Sequence, residues 1–95
     1  MPARMETVRL VVIGRVQGVG YRLWATRMAA RFGLRGWVRN RADGSVEALV
    51  TGAPREVAAM IEACWNGPPA ARVAKVTAAP AADDGSVGFI ALPTE

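Results

Sequence analysis

Apolar positions along the 95-residue chain change their period several times. Residues Thr7 to Gly14 (TVRLVVIG) form a short run of Val, Leu and Ile that ends at glycine, which predicts a first strand. From Tyr21 the period lengthens. Tyr21, Trp24, Ala25, Met28, Ala29 and Phe32 recur at spacings of three and four, one face of a helix over 21–32 with Gly33 as its stop. Arg22, Arg27 and Arg31 lie off that face. Strands follow at 35–40, centred on Trp37 and Val38, and at 45–51, with Asp43-Gly44 between them as a hairpin signal. Pro54 is well placed to open a second helix, whose apolar face is Val57, Met60, Ile61, Cys64 and Trp65. Gly67-Pro68-Pro69 ends it. ARVAKVTA (71–78) reads as a fourth strand, the alanine-biased stretch 78–82 as an ordinary loop, and VGFIA (87–91) as a last short strand.

The order β-α-β-β-α-β is that of the split βαβ, ferredoxin-like fold: an α+β sandwich with an antiparallel sheet and two helices on one face. The length suits one domain over 1–95, with its core at about 7–92. In this topology strands one and two run parallel with strand three between them. Their C-terminal ends share one edge of the sheet, and helix one begins at that edge. Arg22 and Asn40 therefore converge, and the alternation from Val38 turns Asn40 to the side that the helices cover.

Between strand one and helix one the chain reads GRVQGVGYRLW (14–24). Consecutive backbone N–H groups leading into a helix N-terminus can cradle an anion. Glycine lets the backbone curl and a ligand approach. Arg22 at the exit adds a planar donor for phosphate or carboxylate. Spacing alone leaves a second reading open, in which the glycines make a plain turn and Arg22 is solvated. The loop is not a known nucleotide loop, since it lacks the Lys-Ser/Thr ending of a P-loop and the third glycine of a dinucleotide fingerprint.

Composition narrows the chemistry. Histidine is absent, which removes the commonest general base and the usual triads and zinc ligand sets. Cys64 is the single cysteine, so no internal disulfide forms, and its apolar surroundings predict a buried, inert thiol. Residues 1–41 carry nine arginines and one acid, whereas residues 42–95 carry three bases and seven acids. A positive half suits an anionic partner, either nucleic acid or a small phosphate-bearing molecule, and equally a merely solvated surface. No apolar run is long enough for a bilayer, and Met1 to Glu6 lacks the apolar region of a secretory signal, so a cytoplasmic protein is expected.

GRVQGVGYR (14–22), followed by GWVRN (36–40) and DGSVE (43–47), closely resembles the acylphosphatase family, over roughly residues 7–77. The resemblance implies the ferredoxin-like fold and an enzyme that hydrolyses the carboxyl–phosphate bond of acyl phosphates. By position it implies phosphate binding by Arg15, Val16, Gln17, Gly18, Val19, Gly20, Tyr21 and Arg22, with Arg22 and Asn40 catalytic. No metal or cofactor is expected, because a carboxylate leaves without protonation and such phosphoryl transfer is chiefly positioning and charge stabilisation. The substrate is then a small acyl phosphate, the product inorganic phosphate, and the enzyme a monomer without a membrane partner. The family usually has phenylalanine where this chain has Tyr21, and the added hydroxyl is expected to matter little.

The remaining residues have blander readings. Trp24 and Trp37 are expected as core or near-core packing, Arg39 and Arg41 as solvated on the opposite face, and Arg15 as able to point outward. Thr26 and Ser45 have no base partner and are poor nucleophiles. A nucleic-acid module on the same fold would stack bases on aromatics of the central strands, and strands one and three hold none. An acylphosphatase-like domain retained only to bind anions is the third reading, against which Arg22 and Asn40 both stand intact.

Overall fold

A computed structural model describes residues 4–95; Met1, Pro2 and Ala3 of the N-terminal stretch read above lie outside the described residues. The element order is β1 (Glu6–Arg15), α1 (Tyr21–Arg31), β2 (Arg35–Asn40), β3 (Val46–Gly52), α2 (Pro54–Cys64), β4 (Arg72–Pro80) and β5 (Phe89–Ala91). The strands join in one sheet in the order β4-β1-β3-β2-β5. As expected, β3 lies between β1 and β2 and is antiparallel to both.

The core follows from alternation. On β1, Val8, Leu10 and Val12 are buried, while Thr7, Arg9 and Val11 between them are not. On β2 the buried set is Gly36, Val38 and Asn40. The helices cover that side, packing Tyr21, Ala25 and Ala29 of α1 and Val57, Met60 and Cys64 of α2 against Leu10, Val38 and Val50. Each fully buried Val, Leu or Met side chain contributes about 1.5–3 kcal/mol. α1 ends at Phe32 and Gly33, where Gly33 takes a left-handed φ of 68°.

Four expectations are corrected. The sheet is mixed, because β5 runs parallel to β2 along its outer edge. Residues 78–80 continue β4, with Ala78, Ala79 and Pro80 opposite Leu10, Arg9 and Val8, because β4 is an edge strand that tolerates proline at its end. Trp65 lies past the end of α2 and is 47% exposed, since the helix stops before its side chain can return to the core face. Trp37 is half-buried on the face away from the helices, where its indole Nε1 donates to Asp84 at 3.0 Å and the Arg39 guanidinium stacks 4.8 Å from its centroid.

The face away from the helices carries an ion network. Glu47 of β3 is 4% exposed and accepts hydrogen bonds from Arg9 and from Arg39 Nε, the latter at 2.8 Å. Arg39 Nη1 also reaches Glu95 Oε2 at 2.7 Å. Arg39 is thus a paired residue rather than a merely solvated one. Burial alone would raise the Glu47 pKa, but the bonds from Arg39 and Arg9 outweigh it and hold the carboxyl below its ordinary value. Further out, Arg35 pairs with Asp83 and fixes the acidic loop before β5, lowering the Asp83 pKa to about 2.

Candidate active site

The loop of residues 16–20 leaves the end of β1 and enters α1 at Tyr21. Gly18 and Gly20 take left-handed φ values of 72° and 82°, a conformation that side chains with a Cβ resist, and Gly20 caps the helix in it. The loop is pinned from below. Val16 is buried in the core, and Val19 packs against it. The Gln17 side-chain amide donates to the Arg41 and Ser45 carbonyls at 2.8 and 2.9 Å, which ties the loop to the β2–β3 turn. That turn is braced by Ser45 Oγ, which donates to Asp43 Oδ1 at 2.6 Å.

Tyr21 anchors the other side. Its ring is buried and lies edge-on to Trp24, with centroids 5.1 Å apart. Its hydroxyl donates to the Cys64 carbonyl at 2.6 Å, at the end of α2. The hydroxyl expected to matter little therefore satisfies a carbonyl that the helix leaves unpaired. Burial, with the adjacent Cys64 adding to it, pushes the phenol pKa far above its ordinary value, so Tyr21 stays a donor. Burial also pushes the Cys64 thiol up to about 11, in keeping with an inert core cysteine.

A framework this well fastened leaves its own donors unused. Among the described residues, no backbone N–H from Val16 to Leu23 finds a protein acceptor; the first that does is Trp24 N–H, onto the Gly20 carbonyl at 3.0 Å. α1 has no side-chain cap and no acid in its first turn. The positive end of the helix dipole and a row of free amides thus face the same space.

That space is a cleft of about 420 Å³. Val16, Gly18, Gly20, Tyr21, Arg22 and Asn40 line it, so the two residues expected to converge do so. Arg22 is half-buried, and its Nη1 donates to the Leu92 carbonyl at 3.4 Å, long for a charge-assisted bond. No carboxylate pairs with it among the described residues. Asn40 is buried at the end of β2 on the helix side, as its alternation with Val38 requires. The cleft lining contains no acid and, besides Arg22, no cation.

Other expected residues sit elsewhere. Arg15 is exposed at the end of β1 opposite Arg72, and the Gln17 and Val19 side chains turn away from the cleft into the bonds and packing described above. The cleft wall also holds Leu23, Thr26 and Ala91, which had no expected ligand role. Thr26 lies one helical turn beyond Arg22, a spacing that could have revealed it; Ala91 carries no local signal, because only the pairing of β5 with β2 brings it there.

The sequence model of the acylphosphatase family matches residues 8–90, past the point where the motif resemblance ends and into β5. The chain is 54% identical over 77 residues to an acylphosphatase of Bradyrhizobium diazoefficiens, covering 81% of this chain and 78% of that one. It is 48% identical over 90 residues to one of Rhodospirillum rubrum, covering 95% and 99%. Among solved structures, the acylphosphatase of Bacillus subtilis superposes with a TM-score of 0.88 at 34% identity, covering 94% of this chain and 99% of that one. The free loop amides, the unpaired Arg22 and the adjacent Asn40 sit in a chain that matches this family almost end to end. The chain belongs to the acylphosphatase family, and is an enzyme that hydrolyses acyl phosphates to a carboxylate and inorganic phosphate.

Proposed function

We propose that the phosphoryl group of the substrate sits in the nest of residues 15–20, with Arg22 bound to its oxygens and Asn40 orienting the attacking water. The observation that carries this reading is the run of unpartnered amides from Val16 to Leu23 beside a cation without a counter-ion. Dianionic phosphate supplies acceptors for both at once.

The water oxygen forms a bond to phosphorus as the bond from phosphorus to the carboxyl oxygen breaks. The bonding pair leaves on the carboxylate, whose conjugate acid has a pKa of about 4, so no acid catalyst is needed. Charge on the phosphoryl oxygens meets donors that are already oriented. The Asn40 amide can accept from the water and hold it in line. The proton of the water passes to a phosphoryl oxygen of the substrate. The reaction is read as metal-free on the chemistry of the donor set: the chain has no histidine, and no group of three metal-binding side chains occurs among the described residues.

The same reading takes the enzyme as a single-domain, cytoplasmic monomer. One chain furnishes the whole cleft, its single thiol is buried and unpaired, and no helix among the described residues is long and apolar enough to cross a membrane. Benzoyl phosphate hydrolysis by the purified protein, with and without EDTA and with inorganic phosphate as inhibitor, tests the mechanism. Turnover indifferent to EDTA and competitive inhibition by phosphate are expected. Loss of turnover in EDTA that added metal restores would overturn the metal-free reading, and purely noncompetitive inhibition would overturn the loop as the phosphate site.

A further inference from the structure

The cleft is larger than its phosphate end requires, and the rest of its wall has a definite character. α1 advances about 1.5 Å per residue, so Thr26 stands about 6 Å along the helix from Arg22, and Leu23 follows Arg22 directly. Ala91 faces them from β5. It lies opposite Val38 in the register, and neighbours across a sheet point to the same side, so Ala91 projects to the side on which Val38 and Asn40 lie. Leu23, Thr26 and Ala91 all line the cleft.

Two details give this wall its chemistry. Leu23 is 56% exposed and, among the described residues, is the single large, exposed hydrophobic side chain that lines the cleft. An exposed leucine earns nothing from the core, whereas contact with an apolar ligand would remove it from water. The Thr26 hydroxyl donates to the Arg22 carbonyl at 2.8 Å, so its proton is already committed and it offers a ligand no free donor. Beyond Arg22 the lining has no charged side chain, and nothing on this wall can neutralise a second charge on a substrate.

We propose that Leu23 and Ala91 form the acyl-binding wall of the enzyme and select acyl phosphates with an uncharged alkyl or aryl group over those that carry a further carboxylate. This rests on the assignment of the phosphate to the loop and Arg22, which points the acyl group along α1 toward Leu23 and Thr26. Leu23 and Ala91 then set specificity by contact with the acyl chain and take no part in the phosphoryl chemistry.

The test compares acetyl, butyryl and succinyl phosphate; the last two match in chain length and differ in charge. For the wild type, kcat/KM on butyryl phosphate should exceed that on succinyl phosphate by about tenfold, since one unpaired buried charge or one lost apolar contact weighs at least that much. Leu23→Ala should lower the butyryl-to-acetyl ratio about fivefold, chiefly through KM, while the inhibition constant of inorganic phosphate stays within about twofold. Ala91→Leu, which narrows the cleft from the opposite side, should lower the same ratio. Both positions are exposed, so folding is retained, and a thermal melt checks it. Equal effects on acetyl and butyryl phosphate, no effect of either variant, or a wild type that prefers succinyl phosphate would overturn the acyl wall and leave the phosphate site standing. If phosphate failed to compete with any of the three substrates, the phosphate assignment would fall, and the wall with it.

Discussion

Arg22 and Arg39 sit at the two faces of the same sheet and are treated in opposite ways. Arg39 stacks on Trp37 and pairs with both Glu47 and Glu95. Arg22 has one long bond to a backbone carbonyl and no carboxylate. The amides around it go equally unpaired, whereas around Glu47 the donors and acceptors close on one another. A satisfied network stabilises the fold and has nothing left to give a ligand. An unsatisfied one costs stability until an anion arrives. The difference marks where the molecule binds and where it is merely held together.

Substitutions on the two faces should separate accordingly. The largest effect is expected at Arg22. Arg22→Ala should lower kcat/KM on an acyl phosphate by at least about a hundredfold, since a charge-assisted contact is worth about 1.5–3 kcal/mol before any gain in the transition state. Arg22→Lys should recover little, because an ammonium lacks the planar fork. A denaturant melt of either variant should match the wild type; a folded, fully active Arg22→Ala would erase the distinction between the faces.

Asn40→Ala should come next, lowering kcat by about tenfold to a hundredfold while phosphate affinity holds, because its partner is the water. Steady-state kinetics with phosphate inhibition read both quantities. Collapse of phosphate affinity with turnover retained would show Asn40 to be an anion ligand instead.

Glu47→Gln should invert the pattern, lowering stability by about 1.5–3 kcal/mol with little change in kcat/KM. It should also alter the acid limb of stability. Glu47 has a depressed pKa in the folded state. Its contribution is therefore complete above the unfolded value of about 4.3 and is lost as pH falls through the lower folded value. The wild type should lose stability below about pH 4 more steeply than Glu47→Gln. Parallel acid limbs in urea melts would remove Glu47 as their source.

The smallest effect is expected at Tyr21→Phe, a loss of about 1 kcal/mol as the Cys64 carbonyl goes unpaired, with catalysis near normal. Thermal melts and kcat/KM on one substrate are sufficient to check it.

The elements with local signals were legible in the sequence. The periods of β1 and α1, the Asp43-Gly44 turn and the alternation that turns Asn40 inward all depend on near neighbours. The strand order then brought Arg22 to Asn40 from topology alone. What escaped depends on partners far along the chain. The three-residue β5 is too short to show its direction, and only its pairing with β2 brings Ala91 and the Leu92 carbonyl to the cleft. Arg39 alternates against Val38 and Asn40, which already placed it away from the helix-covered core, whereas the size and apolarity of Trp37 masked the same alternation there. That Glu47, eight residues beyond Arg39, would hold that arginine could not be seen until β2 and β3 were in register.

The register of β1 also bears on how the chain folds. Its first residue in the sheet, Glu6, meets Gly52, and Val8 meets Pro80. Neither flanking strand can form against β1 until a long stretch of chain has closed into a loop, and that closure entropy comes before any ladder bond rewards it. The expected folding time is milliseconds to seconds rather than microseconds. Synthesis adds about 5–20 residues per second, so the Val8, Leu10 and Val12 stripe waits seconds for β3 and β4. In the folded protein α2 lies over β1, whereas α1 lies over β2 and β5, so the stripe waits for its helical cover as well. The strand on which the active-site loop is built thus stays uncovered until the second half of the chain has been made.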